Sequence, residues 1–228
     1  VLPDPPAELL ARAVRSEASR PFVTYYDLAS AGRVELSVAT FDNWVSKTAG
    51  LLRDELDVEP GHTVSVVLPA HWLGMVWAMA VWTVGAHLVL ESHDDAVVSV
   101  RAAGEESATS GQVVVVSTMP MGGPAGARVP VGALDYGREV LGYPDVFGPA
   151  EPSDDPWLEV LRNGLQERGQ RERRLLVAER LDVDVLRDGL LGALLADGST
   201  VVVRTDGYSA DPDRIAAIAR DENAAPAH

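Results

Sequence analysis

From Pro60 to Leu90 the chain runs PGHTVSVVLPAHWLGMVWAMAVWTVGAHLVL, without one Asp, Glu, Lys or Arg. The pattern inside that stretch predicts strand, helix, strand. Thr63 to Leu68 is short and charge-free, the kind of strand buried on both faces of a parallel sheet. His71 to Val84 is apolar nearly all round, which predicts a helix enclosed on most sides. His87 to Leu90 returns as a strand, so the whole reads as a βαβ unit.

The flanking pattern continues the alternation. Asp4-Pro5 opens a helix whose Leu9, Leu10, Ala13 and Val14 form one apolar stripe. Phe22 to Asp27 and Arg33 to Ser37 read as paired strands, with Ala31-Gly32 near the turn. Thr40 can cap a helix to about Leu56, because Phe41, Val45, Leu52 and Leu56 recur at helical spacing. Val97 to Ala103 is read as helical and Val113 to Val116 as a buried strand. The segment 117–156 is rich in Gly and Pro and predicts mostly loop, with a short helix near Leu134 to Leu141. Trp157 to Arg168 reads as helix and Leu175 to Ala178 as strand. Val183 to Leu195 is an amphipathic helix stopped by Asp197-Gly198. Thr200 to Arg204 is a further strand, and Asp211-Pro212 opens a last helix through Ala219. Strands alternating with helices predict an α/β fold with a mostly parallel sheet flanked by helices, as a single domain over residues 1–228.

Composition narrows the classes. The net charge of −15 would repel nucleic acid and anionic membrane surfaces alike. The absence of cysteine removes disulfides, thiolate metal sites and cysteine nucleophiles, and suits a cytoplasmic protein. The charge-free stretch is long enough for a membrane span of about 20 residues, but Pro69, His71 and Gly85 interrupt it, so a buried core is expected instead. Lys47 is the single lysine, and the Ala, Gly, Val and Arg bias points to a high-GC bacterial source.

The order of pieces resembles a known family. Phe22-Val23-Thr24-Tyr25, Val34-Glu35-Leu36-Ser37, Leu51 to Leu56 with Pro60-Gly61, Val64 to Pro69 and Trp82 to Ala86 look like the N-terminal part of the AMP-binding, adenylate-forming ligases. Those include acyl-CoA synthetases, luciferases and peptide-synthetase adenylation domains. Leu190 to Val203 resembles a later block of the same fold. The resemblance implies the N-terminal subdomain fold of these ligases, and ATP or AMP as ligand. It also implies a Gly-, Ser- and Thr-rich phosphate loop ending in Pro-Lys-Gly between Asp155 and Leu175. This chain has Trp157-Leu158-Glu159-Val160-Leu161-Arg162-Asn163-Gly164 and then an Arg/Glu run there. The family's Tyr-Gly-x-Thr-Glu signature and its lysine-bearing C-terminal domain fall beyond the last residue given. Lys47 matches neither family lysine, so no catalytic residue is carried over.

Candidate ligand-binding residues therefore come from local chemistry. Ser117 to Arg128, STMPMGGPAGAR, follows a strand as phosphate loops do, with Ser117, Gly122 and Gly123 as the cradle and Arg128 as the cation. Against it, Pro120 and Pro124 lack backbone donors, and a surface loop explains the composition. Ala108-Thr109-Ser110-Gly111 resembles a fragment of the family loop but precedes a strand. His93 and Asp94, in Glu91-Ser92-His93-Asp94-Asp95, group ligand atoms at a strand end, where α/β folds bind ligands; a solvated acidic turn is the plainer reading. His71 opens the apolar helix, where a helix cap or a buried, hydrogen-bonded histidine is the plainer reading; the family resemblance implies that the equivalent turn approaches a substrate tunnel. Trp72, Trp77 and Trp82 recur every five residues, which spreads them around the helix as packing. The run 166–174 mixes signs and reads as a solvated helix end. No metal site is expected.

The leading expectation is a non-catalytic relative of acyl- and aryl-adenylating ligases with a binding or accessory role. Alternatives are residual binding of a nucleotide or an acyl or aryl carboxylate, a homodimeric structural protein joined through the Met/Trp helix, and a fragment of a longer ligase.

Overall fold

Two five-stranded sheets enclose a layer of helices, and the apolar faces of all three meet in one core. The computed structural model describes residues 4–105, 110–148, 152–165, 170–205 and 211–226. The first sheet has the order β10 (Ala225–Pro226), β8 (Arg173–Ala178), β9 (Ser199–Arg204), β1 (Pro21–Asp27), β2 (Gly32–Ser37). The second runs β4 (His87–Val89), β3 (Thr63–Val67), β5 (Val98–Ala102), β6 (Gln112–Val116), β7 (Leu134–Asp135). The β1–β2 hairpin is antiparallel, and the remaining named pairings are parallel. This is the mixed, mainly parallel α/β architecture the alternation predicts.

Helices α1 (Pro6–Glu17), α2 (Val38–Asp54) and α3 (Trp72–Thr83) fill the middle. Every residue of α3 from Trp72 to Trp82 is buried, because the helix packs on α1, α2 and strands of both sheets. That explains an apolar surface with no polar face. It also removes the helix as a dimer surface: its Met and Trp side chains are used inside the chain. Among the described residues no helix is long and apolar enough to cross a membrane. In the first sheet the two-residue period of a strand separates two layers. Val202 joins the main core, whereas Val201 and Val203 face α7 (Pro212–Asp221) with Leu175 and Ile218.

Several elements differ from expectation. Residues 97–103 form strand β5 and not a helix. Val98, Val100 and Ala102 alternate into the core, and partners on both sides supply the hydrogen bonds. Helix α2 starts at Val38 because Ser37 Oγ accepts the Thr40 N–H at 3.2 Å. Residues 166–169 of the charged run lie outside the described residues. Arg173 and Arg174 begin β8 and are no helix end: Arg173 reaches Glu222 at 2.8 Å across the sheet surface. Helix α5 is shorter than read, Pro156–Asn163. Val185–Leu191 is a π-helix that passes into α6 (Gly192–Leu195). The Thr200 hydroxyl donates to the Gly189 carbonyl inside it at 2.7 Å, a side-chain intrusion of the kind that shifts a helical ladder. The expected short helix is α4, Tyr136–Glu139.

Candidate functional site

The carboxyl ends of strands from both sheets are tied together. Leu68 O accepts from Leu181 N, Ala70 N donates to Glu179 O, each at 3.0 Å, and Pro69 bridges Arg180. In parallel α/β folds such strand ends are where ligands bind. Here β3 delivers His71, β6 delivers Ser117 and Thr118, β1 ends in Asp27, and β9 ends in Arg204.

His71 is the N-cap of α3, in extended conformation. Its Nδ1 accepts the Leu73 N–H at 3.1 Å, which puts the ring proton on Nε2; that nitrogen donates to Met119 O, also at 3.1 Å. The ring lies 4.5 Å from Tyr25 and 5.5 Å from Trp72, centre to centre. Burial pushes its pKa down to about 3; the Met119 carbonyl opposes that, the Arg204 charge adds to it and Asp27 opposes it. The imidazole is neutral at pH 7 and both nitrogens are engaged, so it is a structural cap and no free base.

The loop after β6 turns its carbonyls inward. Thr118 O accepts from Arg204, Met119 O from His71, and Pro120 O from the Trp72 indole at 2.8 Å. Its N–H groups are used locally: Gly122 N donates to Met119 O, and Ala125 N and Gly126 N donate to the Asp135 carboxylate at 3.0 Å each. Pro120 also packs so closely on the hairpin that a Cβ at Gly32 would lie 2.3 Å from its Cγ. Ser117 Oγ is buried without a hydrogen-bond partner among the described residues. Gly122 lies against Leu73 and Trp72. Gly123 has φ +98 and its carbonyl abuts Gly137. The Arg128 Nε reaches Ala125 O at 3.5 Å, within its own loop.

A phosphate cradle needs convergent N–H donors and positive charge. This loop presents carbonyl oxygens inward and ties down the donors of Gly122, Ala125 and Gly126. These residues do not fit an ATP triphosphate.

His71, Ser117 and Gly122 are thus brought to one end of the fold, with Gly123 and Arg128 further along the same loop. His93 and Asp94 are not. Strand β4 stops level with Ser65, and the chain turns back to pair Val97 N with Thr63 O. Asp94 O accepts from Ser110, just ahead of β6, and His93 Nδ1 accepts from Asp95 N at 3.3 Å. That turn therefore sits beside the amino ends of β5 and β6, the opposite end from His71. Ala108 and Thr109 lie outside the described residues. No group of three or more His, Cys, Asp or Glu among the described residues could hold a metal ion. The sequence reading missed Asp27 and Arg204; each is the charged residue closing an apolar strand, and that was the available signal. Asp155 was passed over as well. It caps α5 through Trp157 N at 2.9 Å while its other oxygen accepts from Trp82 Nε1 and Leu88 N, at 2.9 and 2.8 Å.

Comparison with known proteins places this geometry. No protein-family model matches the chain. Among solved structures it is similar to an acyl-CoA synthetase of Brucella canis, with TM-score 0.74 and 14% identity over 97% of this chain and 46% of that one. It is similar also to the acetoacetyl-CoA synthetase of Streptomyces lividans, with TM-score 0.69 and 18% identity over 96% of this chain and 44% of that one. The N-terminal domain of FACL13 from Mycobacterium tuberculosis superposes with TM-score 0.69 and 10% identity, over 97% of this chain and 61% of that one. The chain thus spans less than two thirds of these structures, and at such identities the likeness is one of fold. A TIGR03089 family protein of Mycobacterium tuberculosis is 35% identical over 209 residues, 83% of this chain and 85% of that protein. With the α/β fold of acyl-CoA synthetase N-terminal domains, this chain belongs to the TIGR03089 family.

Proposed function

We propose that this protein is a non-catalytic relative of the acyl- and aryl-adenylating ligases, cytoplasmic, with a binding or accessory role. One observation carries the reading. Where the family resemblance calls for a phosphate loop, Asp155 is buried as a structural clamp and the chain enters helix α5. From Asp155 to Leu175 there is no Ser, Thr or Lys at all. The loop after β6 offers no replacement, since its Gly122, Ala125 and Gly126 donors are engaged. Lys47 is held by Tyr143 O and Asp145, at 2.5 and 3.0 Å. The test is ATP–pyrophosphate exchange with a panel of carboxylic acids. Background rates are expected throughout; robust exchange by the purified chain would overturn the reading.

A second reading, residual binding of a nucleotide or an acyl or aryl carboxylate at the strand ends, has one observation in its favour: the buried Ser117 hydroxyl, which has no partner among the described residues. Polar groups buried in this way usually meet a partner. Calorimetry with ATP, AMP and fatty acids decides it. Binding that is lost in Ser117→Ala supports this reading, and absence of heat at millimolar ligand removes it.

A further inference from the structure

A second concave site lies away from the strand ends, between α1, α2, the end of α3 and the segment around Phe147. It is a groove of about 500 Å³ walled by Leu10, Val45, Trp82 and Phe147. Asp42 opens into it and has no hydrogen bond or ion pair among the described residues. Burial alone raises the pKa of its carboxyl group, a sign that nothing nearby stabilises the anion.

Asp42 has no role in building its own helix. Ser37 is the cap, accepting from Thr40 N, while Val38 N and Ala39 N donate to Arg20 O and Ala18 O, each at 2.9 Å, so the first turn of α2 leaves no donor for Asp42 to serve. Nor is it waiting for a neighbouring cation. Arg12 pairs with Asp4 at 3.0 Å, Arg15 with Glu8 at 2.6 Å, and Lys47 with Asp145 at 3.0 Å. Among the described residues no basic residue lines the groove, and the second acid on its wall, Glu8, is the one already paired with Arg15. A half-buried carboxylate without a partner beside an apolar wall is unfavourable by itself, and an incoming cation with an apolar body relieves it.

We propose that this groove binds a small amphipathic amine: a primary ammonium group placed on Asp42, with an alkyl or aryl body along Leu10, Val45, Trp82 and Phe147. The proposal is independent of the strand-end reading, since the two sites share no residue. Calorimetry with hexylamine, hexanol and hexanoate on the intact chain tests it. Hexylammonium is expected to bind about tenfold tighter than hexanol, the worth of one charge-assisted hydrogen bond, with hexanoate weakest. Asp42→Asn should abolish the preference for the amine over the alcohol. Ala11→Phe, which fills the groove from α1 and leaves Asp42 in place, should abolish binding of both. Equal binding of the three probes, unchanged affinity in either folded variant, or no heat with hexylamine would overturn the proposal. If Asp42→Asn does not fold, the probe series and Ala11→Phe decide alone.

Discussion

Trp82 donates its indole N–H to the carboxylate of Asp155, 73 residues further along the chain, at 2.9 Å, with both groups buried. The bond fastens the end of α3 to the start of α5. Because the same carboxylate holds Leu88 N and Trp157 N, three donors depend on one side chain. Asp155→Ala leaves all three without their partner, and is expected to cost about 3–5 kcal/mol. Asp155→Asn retains an acceptor oxygen and should cost about half of that. Urea unfolding with an unchanged m-value checks both, and an equal loss in the two variants would contradict the clamp.

His71 makes the fold sensitive to acid. Its folded pKa lies near 3, below the ordinary value of 6.5, so between those limits the unfolded chain binds the extra proton. The stability this group contributes is complete above pH 6.5. It declines as pH falls toward 3, with a limiting slope of about 1.4 kcal/mol per pH unit. His71→Asn keeps a cap for Leu73 N and removes the titration. That variant should be less stable at pH 7 yet show a shallower loss between pH 6 and 4. A parallel pH profile in the two proteins would rule the mechanism out.

Tyr136 and Thr48 should respond unequally to truncation. The Thr48 hydroxyl donates to Trp44 O at 2.7 Å, so at the 2.7 Å Thr48–Tyr136 contact it is the tyrosine that donates. Burial raises the pKa of that phenol strongly. Tyr136→Phe leaves Thr48 bonded and should cost about 1 kcal/mol. Thr48→Val strands a buried phenol O–H and should cost about 2–3 kcal/mol. Adding Tyr136→Phe to Thr48→Val should then recover part of the loss, which a double-mutant cycle reads directly.

Gly137 is required by backbone proximity. A Cβ there would lie 2.0 Å from Gly123 O, and a carbonyl in the loop cannot give way as a flexible side-chain end can. Gly137→Ala is expected to destabilise by more than about 2 kcal/mol and to loosen the loop after β6. Gly104 has φ +90 but open space around it, so Gly104→Ala should cost only about 1 kcal/mol of backbone strain. Thermal unfolding of the two variants compares them.

The legible elements were those whose signal is local. Strand β3 and helix α3 follow from an uncharged run with a clear change of period, and β9 from Thr200-Val-Val-Val. Strand β5 was misread because Val97 to Ala103, with Ser99 and Arg101 among its apolar residues, satisfies a helical spacing too; the free edges of β3 and β6 decide it. The His93 turn was set at the wrong end of the sheet because strand length cannot be seen in apolar pattern. β4 ends level with Ser65, and that depends on its neighbour.

Pattern by itself determined the α/β class and the enclosed helix, while the family scaffold came from the resemblance of its ordered motifs to a known family. The class and the helix follow from which residues must leave water, and that is written along the chain. Only the tertiary structure decided which polar groups are already satisfied. It turned the carbonyls of Thr118, Met119 and Pro120 toward Arg204, His71 and Trp72, made Asp155 a clamp, and left Asp42 and Ser117 without partners among the described residues. Hydrogen-bond satisfaction is a property of groups far apart in sequence and close in space. It therefore appears only once the two sheets have closed around the helices.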